Sequence, residues 1–125
     1  MFKINEDKSI YLTRGDIADI KVSATKPDGE QYTFSVGDVV RFKVFKRRDC
    51  GCVEIQKDTV VTEETQEVII YLEKKDTKIG EIVSKPTNYW YEVELNPDTA
   101  PQTIIGYDED GEKIFRLFPE GSESL

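Results

Sequence analysis

Val39–Lys46 reads VVRFKVFK. Val40, Phe42 and Val44 alternate with Arg41 and Lys43, so one side of an extended chain is apolar and the other charged. A period of two in β-branched and aromatic residues is the signature of a half-buried strand. Val40, Phe42 and Val44 are therefore expected in a core, and Arg41 and Lys43 in water.

The same grammar continues on both sides. Upstream, SVGD (35–38) is a corner, QYTF (31–34) a short strand with Tyr32 and Phe34 on one face, and TKPDGE (25–30) a hairpin turn at Asp28-Gly29. IADIKVSA (17–24) places Ala18, Ile20, Val22 and Ala24 together, and SIYLT (9–13) precedes the RGD corner. Downstream, CVEIQK (52–57) sets Val53 and Ile55 inward, and EVIIYL (67–72) does the same for Val68, Ile70 and Leu72. EKKDTKIG (73–80) predicts a single helical turn closed by Gly80. NYWYEVEL (88–95) carries Tyr89, Tyr91, Val93 and Leu95 on one face and Trp90, Glu92 and Glu94 on the other. QTIIGY (102–107) and KIFRLF (113–118) are the last strands, read as a hairpin around DEDG (108–111). Eight or nine short strands at about ten-residue spacing predict an antiparallel β-sandwich, one domain over 1–121 with 122–125 as a flexible tail.

The chain has 125 residues, and a domain of that size buries roughly two-thirds of its unfolded surface without staples. A net charge of −8 disfavours a nucleic-acid binder, which needs a basic surface against phosphates. The apolar runs are too short to span a bilayer, and the N-terminus lacks the apolar region of a secretory signal. Neither nucleic acid nor membrane is expected as a partner. One basic stretch, Arg41 to Arg48, opposes acidic ones at VTEETQE (61–67) and DEDGE (108–112).

Histidine is absent, which removes the Ser-His-Asp triad, the Cys-His pair and a common metal ligand. Cys50 and Cys52 are too close for an unstrained disulfide and too few for a zinc site. Aligned as a calcium loop, YDEDGEKIF (107–115) lacks ligands at the first and twelfth positions, where Gly106 and Leu117 fall. The RGD of Arg14–Asp16 reads as a turn rather than an adhesion tip. With no phosphate loop and no nucleophile elbow, neither an enzyme nor a cofactor is expected. Trp90 beside Glu92 and Glu94 admits a carbohydrate platform, in which Trp90 or Tyr107 would edge a shallow groove. Alternatively, Trp90 anchors a protein contact.

IYLTRGDIADIKVSATKPDGEQYTFSVGDVVRFKVFK (10–46) resembles the N-terminal domain of the phage baseplate upper protein family of Gram-positive phages and prophages. The matching elements are Leu12–Asp16 with Ala18, Asp28-Gly29 with Tyr32, and Gly37-Asp38 with Val40, Phe42 and Val44. IYLEKKDTKIGE (70–81) and YWYEVEL (89–95) extend the likeness to Leu95. The resemblance implies an immunoglobulin-like sandwich and a non-enzymatic virion role. The subunit would be made in the bacterial host cytoplasm and assembled with copies of itself or with other virion proteins. Family members continue into helical, receptor-facing regions that this sequence does not show. The expectation is therefore an accessory subunit of a tail or baseplate, with a neck or capsid decoration protein as the alternative. Its contacts are expected at Arg41, Lys43, Arg47 and Arg48 on one side, at Asp108, Glu109 and Asp110 on the other, and at Trp90 as a buried anchor.

Overall fold

The alternation resolves into strands joined by short corners in a computed structural model that describes residues 2–26, 28–46, 53–79, 85–106 and 111–120. Among these residues the chain forms β1 (Phe2–Ile4), β2 (Ile10–Thr13), β3 (Ala18–Val22), β4 (Val39–Phe45), β5 (Val53–Val60) and β6 (Val68–Leu72). A helical turn α1 (Lys74–Thr77) and strands β7 (Thr87–Leu95), β8 (Gln102–Ile105) and β9 (Lys113–Phe118) complete it. The result is an all-β fold of short strands built on a mixed sheet. That sheet runs β1-β2-β9-β7-β4-β5, with β8 also on β7, while β3 and β6 form a separate two-stranded sheet.

One core serves both sheets. Val40, Phe42 and Val44 are fully buried, as are Val93, Phe115, Leu117 and Leu12 from the neighbouring strands. Ala18, Ile20 and Val22 of β3 and Val68, Ile70 and Leu72 of β6 belong to the same cluster. Phe42 lies at its middle, 5.6 Å from the Tyr91 ring and 6.3 Å from Phe115. Each such side chain stabilises the fold by about 1.5–3 kcal/mol through burial alone. The alternation in β4, β6 and β7 thus sorts inside from outside as the sequence predicts.

Four expectations are corrected. The sheet is not wholly antiparallel, because β2 and β9 run parallel, Ile10 opposite Phe115 and Thr13 opposite Phe118. After β2 the corner at Arg14–Asp16 takes the chain to the other sheet, and the last strand fills the vacated edge. Side-chain alternation carries no information about strand direction. Next, β8 and β9 are not a hairpin. Both pair antiparallel with β7 on the edge away from β4, β8 along Val93–Leu95 and β9 along Thr87–Tyr91. Strand β8 stops at Ile105, and the residue that follows, Gly106, has no room for a side chain, since a Cβ there would stand 2.6 Å from the Thr103 methyl.

The remaining two corrections concern short segments. QYTF forms only isolated bridges, Gln31 to Thr25 and Phe34 to Thr65. Val53 is exposed rather than inward. A bulge opposite Val44–Phe45 pairs Val44 with Ile55 but Phe45 with Val53, which turns Val53 to the outer face. Strand β1, unforeseen, is held antiparallel on β2 with Phe2 and Ile4 exposed.

The corners do hold. Asp16 N–H donates to Thr13 O, and Gly15 sits at φ +86° against Glu120. Arg14 of the RGD is buried, its Nε donating to Ile79 O, so the tripeptide closes a corner. The α1 turn is tied down where Thr77 Oγ1 donates to Asp16 O at 2.7 Å. Gly80, expected to end that turn, lies outside the described residues. Among the described residues no helix is long and apolar enough to cross a membrane.

Candidate functional site

The outward side of the mixed sheet is built by residues that the alternation turns away from the core. Because registers are fixed by backbone pairing, these residues fall into rows across the strands. Glu94, Arg41 and Asp58 make one row on β7, β4 and β5; Glu92, Lys43 and Gln56 make the next. The third row is Ile114, Trp90, Phe45 and Val53, running from β9 through β7 and β4 to β5. Beyond it lie Asn88, Arg116 and Tyr11.

In the charged rows each cation is held by acids. Arg41 binds Asp58 in a two-pronged fork, Nε to Oδ1 at 2.8 Å and Nη2 to Oδ2 at 2.9 Å, and reaches Asp98 at 3.1 Å. These carboxylates hold the guanidinium firmly protonated, and Arg41 in turn keeps the Asp58 pKa below its usual value. Lys43 lies between two carboxylates, 3.3 Å from Glu92 and in closer contact with Glu94. Partial burial disfavours its charge, but the bonds to Glu94 and Glu92 outweigh that and raise its pKa. Its ammonium is also 5.5 Å from the centre of the Phe45 ring. On the far side Arg116 donates to Asn88 at 2.8 Å and stacks 5.7 Å from Tyr11.

Trp90, half-buried, therefore stands in an apolar row bounded on both sides by fixed polar groups. A shallow pocket of about 280 Å³ opens beside it, lined by Lys43, Phe45, Trp90, Glu92 and Glu112. A larger cavity of about 350 Å³ sits elsewhere, where Lys8 and Lys26 edge a floor that includes Ile104 and Ile105. Among the described residues no group of three or more acidic or cysteine side chains converges on a metal position.

Of the residues singled out in the sequence, Arg41, Lys43 and Trp90 do share this face. Arg41 and Lys43 contribute no bare positive patch, since both are engaged by acids of adjoining strands. Arg47, Arg48, Asp108, Glu109 and Asp110 lie outside the described residues, as do Cys50, Cys52 and Tyr107. Phe45, Ile114 and Val53 were not foreseen as companions of Trp90. Their side of the strand is legible from alternation for Phe45 and Ile114, but their alignment depends on register, and Val53 reaches the row only through the bulge. Compared with known families, curated proteins and solved structures, the chain matches none.

Proposed function

We propose that this chain is a non-enzymatic binding module, an immunoglobulin-like sandwich that serves as an accessory structural subunit of a phage or prophage tail or baseplate. The partner is another virion protein, and the working surface is the outer face of the mixed sheet. The observation that carries the contact surface is the apolar row Ile114–Trp90–Phe45–Val53, beside which Arg41 and Lys43 are already engaged by carboxylates. A tryptophan flanked by aromatic and aliphatic neighbours and rimmed by polar groups has the composition of an interface hot spot. Pre-formed ion pairs on the rim suit such a contact, because they need little rearrangement on docking. The virion assignment is supported by the likeness over Ile10–Leu95 to baseplate upper proteins. The test is incorporation of a Trp90→Ala chain into particles of the phage or prophage that encodes it. Loss of incorporation by a folded variant is expected; normal incorporation refutes the reading.

A second reading is favoured by the pocket beside Trp90. An indole with Glu92 and Glu112 at its edge offers a stacking plane and acceptors for a sugar ring. In that case the module adheres to a host-surface glycan. Binding on a glycan array that disappears in Trp90→Ala would select it over the protein contact, and silence of the wild-type chain would dismiss it.

A further inference from the structure

The two-stranded sheet has an outer face of its own, turned away from the core it shares with the mixed sheet. Its register sets Asp19 opposite Tyr71 and Lys21 opposite Ile69. All four point outward: Asp19 and Lys21 are exposed, Ile69 is 49% exposed and Tyr71 is 45% exposed. Two large apolar side chains thus lie bare beside two opposite charges. Unlike Arg41, Lys43 and Lys57, neither Asp19 nor Lys21 has an ion-pair partner among the described residues.

We infer that this face is a two-fold docking surface for a second copy of the same chain. The pattern is complementary to itself. A two-fold axis lying across the strands at the level of the Ile20–Ile70 pair exchanges the two rows. It sets Asp19 over Lys21 of the second copy, and Tyr71 over Ile69 of the second copy, and makes each contact twice. This is the isologous arrangement that most homodimers use. The four central residues are together neutral on a chain of net charge −8, so the contact they make does not add to the mutual repulsion of two copies. A basic partner would find acidic surface elsewhere and nothing for Tyr71 and Ile69; a second copy satisfies all four residues.

The twist of a two-stranded ribbon splays the outer rows apart and confines the contact to the two central ones. That separation also keeps Glu67 and Glu73, which the axis would bring to face each other, from close approach. Glu73 is further held by Lys75 at 3.4 Å. So few residues bury well under the roughly 1,000 Å² of a stable complex, and the association is weak and concentration-dependent. It uses the side of the core opposite to Trp90, so the failure of either surface leaves the other standing.

Sedimentation velocity over a rising concentration series tests the inference, with far-ultraviolet circular dichroism confirming that each exposed-site variant is folded. The wild-type chain is expected to shift from monomer toward dimer, less so in high salt. Asp19→Lys and Lys21→Asp, each turning two attractive contacts into like-charge ones, are expected to weaken association by about tenfold or more. The double swap restores the pairing and recovers the wild-type constant. Tyr71→Thr, which keeps strand propensity but removes the ring, weakens it without restoring partner. A wild-type chain that stays monomeric throughout, association that the single reversals leave unchanged, or a double swap that does not recover would each overturn the proposal.

Discussion

The phenolic oxygen of Tyr32 donates to Asp38 Oδ2 at 2.8 Å, across the corner that opens strand β4. Asp38 is a hub. It also accepts from Ser35 N–H at 2.9 Å and from the Asn96 amide at 3.2 Å, and Asn96 Oδ1 in turn takes Val39 N–H at 2.8 Å. Two segments distant in sequence, the corner 32–39 and Asn96, are thereby fixed around one carboxylate, and Asn96 holds a positive φ of 47° to reach it. Hydrogen bonds to a charged group contribute about 1.5–3 kcal/mol each. Discounted for the partial exposure of Asp38, Tyr32→Phe is expected to cost about 1 kcal/mol. Asp38→Ala, which orphans three donors, is expected to cost more. Urea midpoints at unchanged slope measure both.

The same carboxylate makes stability depend on acid. Burial works against its ionisation, but the bonds from Ser35, Tyr32 and Asn96 prevail and hold its pKa below 3.8. Asp76 behaves alike: burial opposes the charge, while Glu73 N–H and Lys57 favour it, and its pKa is lowered. A carboxyl with a depressed folded pKa adds stability that is complete above the unfolded value and lost as pH falls through the folded one. The thermal midpoint is therefore expected to hold down to about pH 5 and to drop as the pH falls from there through the lowered folded-state values of Asp38 and Asp76. Asp38→Asn starts lower at neutral pH and loses less over that range. A parallel fall in both proteins would show that Asp38 does not titrate this transition.

The inner half of this fold was plain in the sequence, because burial is written in alternation and alternation survives without any knowledge of partners. Val40, Phe42 and Val44, or Val68, Ile70 and Leu72, had to face one way whichever strands they met. Pairing was hidden for the converse reason. Nothing local to KIFRLF says that β9 continues along the β7 edge that β8 has left and runs parallel to β2, since that depends on which edge the rest of the chain leaves open. The candidate site suffers from the same ignorance. Trp90 was conspicuous as the single tryptophan, but its row with Ile114, Phe45 and Val53 is a product of three registers and a bulge. The pairing of Arg41 with Asp58 and Asp98 likewise joins residues that only the sheet brings together.

Phe42 gives the sharpest test of the core. It is fully buried and contacts the rings of Tyr91 and Phe115 as well as the aliphatic floor. Phe42→Ala is expected to cost about 3–5 kcal/mol, enough to unfold a marginal domain, whereas Phe42→Leu stays within about 2 kcal/mol. Chemical denaturation of the two variants separates a packing role from a merely hydrophobic one.

Lys43 decides whether the ion-paired rim of the Trp90 row is structural or incidental. It is the cation between Glu92 and Glu94, two residues apart on the same face of β7, and its side chain is 20% exposed. Lys43→Met keeps the stem over Phe45 but leaves two carboxylates facing one another, and is expected to destabilise the fold by about 1–2 kcal/mol. Glu94→Gln leaves Lys43 with Glu92 and is expected to cost less than half as much. Adding Glu92→Gln and Glu94→Gln to Lys43→Met removes the repulsion, so the triple variant should regain most of the loss. The series is read from urea midpoints at low and high salt, since screening reduces the Lys43→Met penalty if it is electrostatic. A penalty that persists in salt and in the triple variant would instead place the value of Lys43 in the packing of its stem. The rim would then guide the geometry of Trp90 by contact and not by charge.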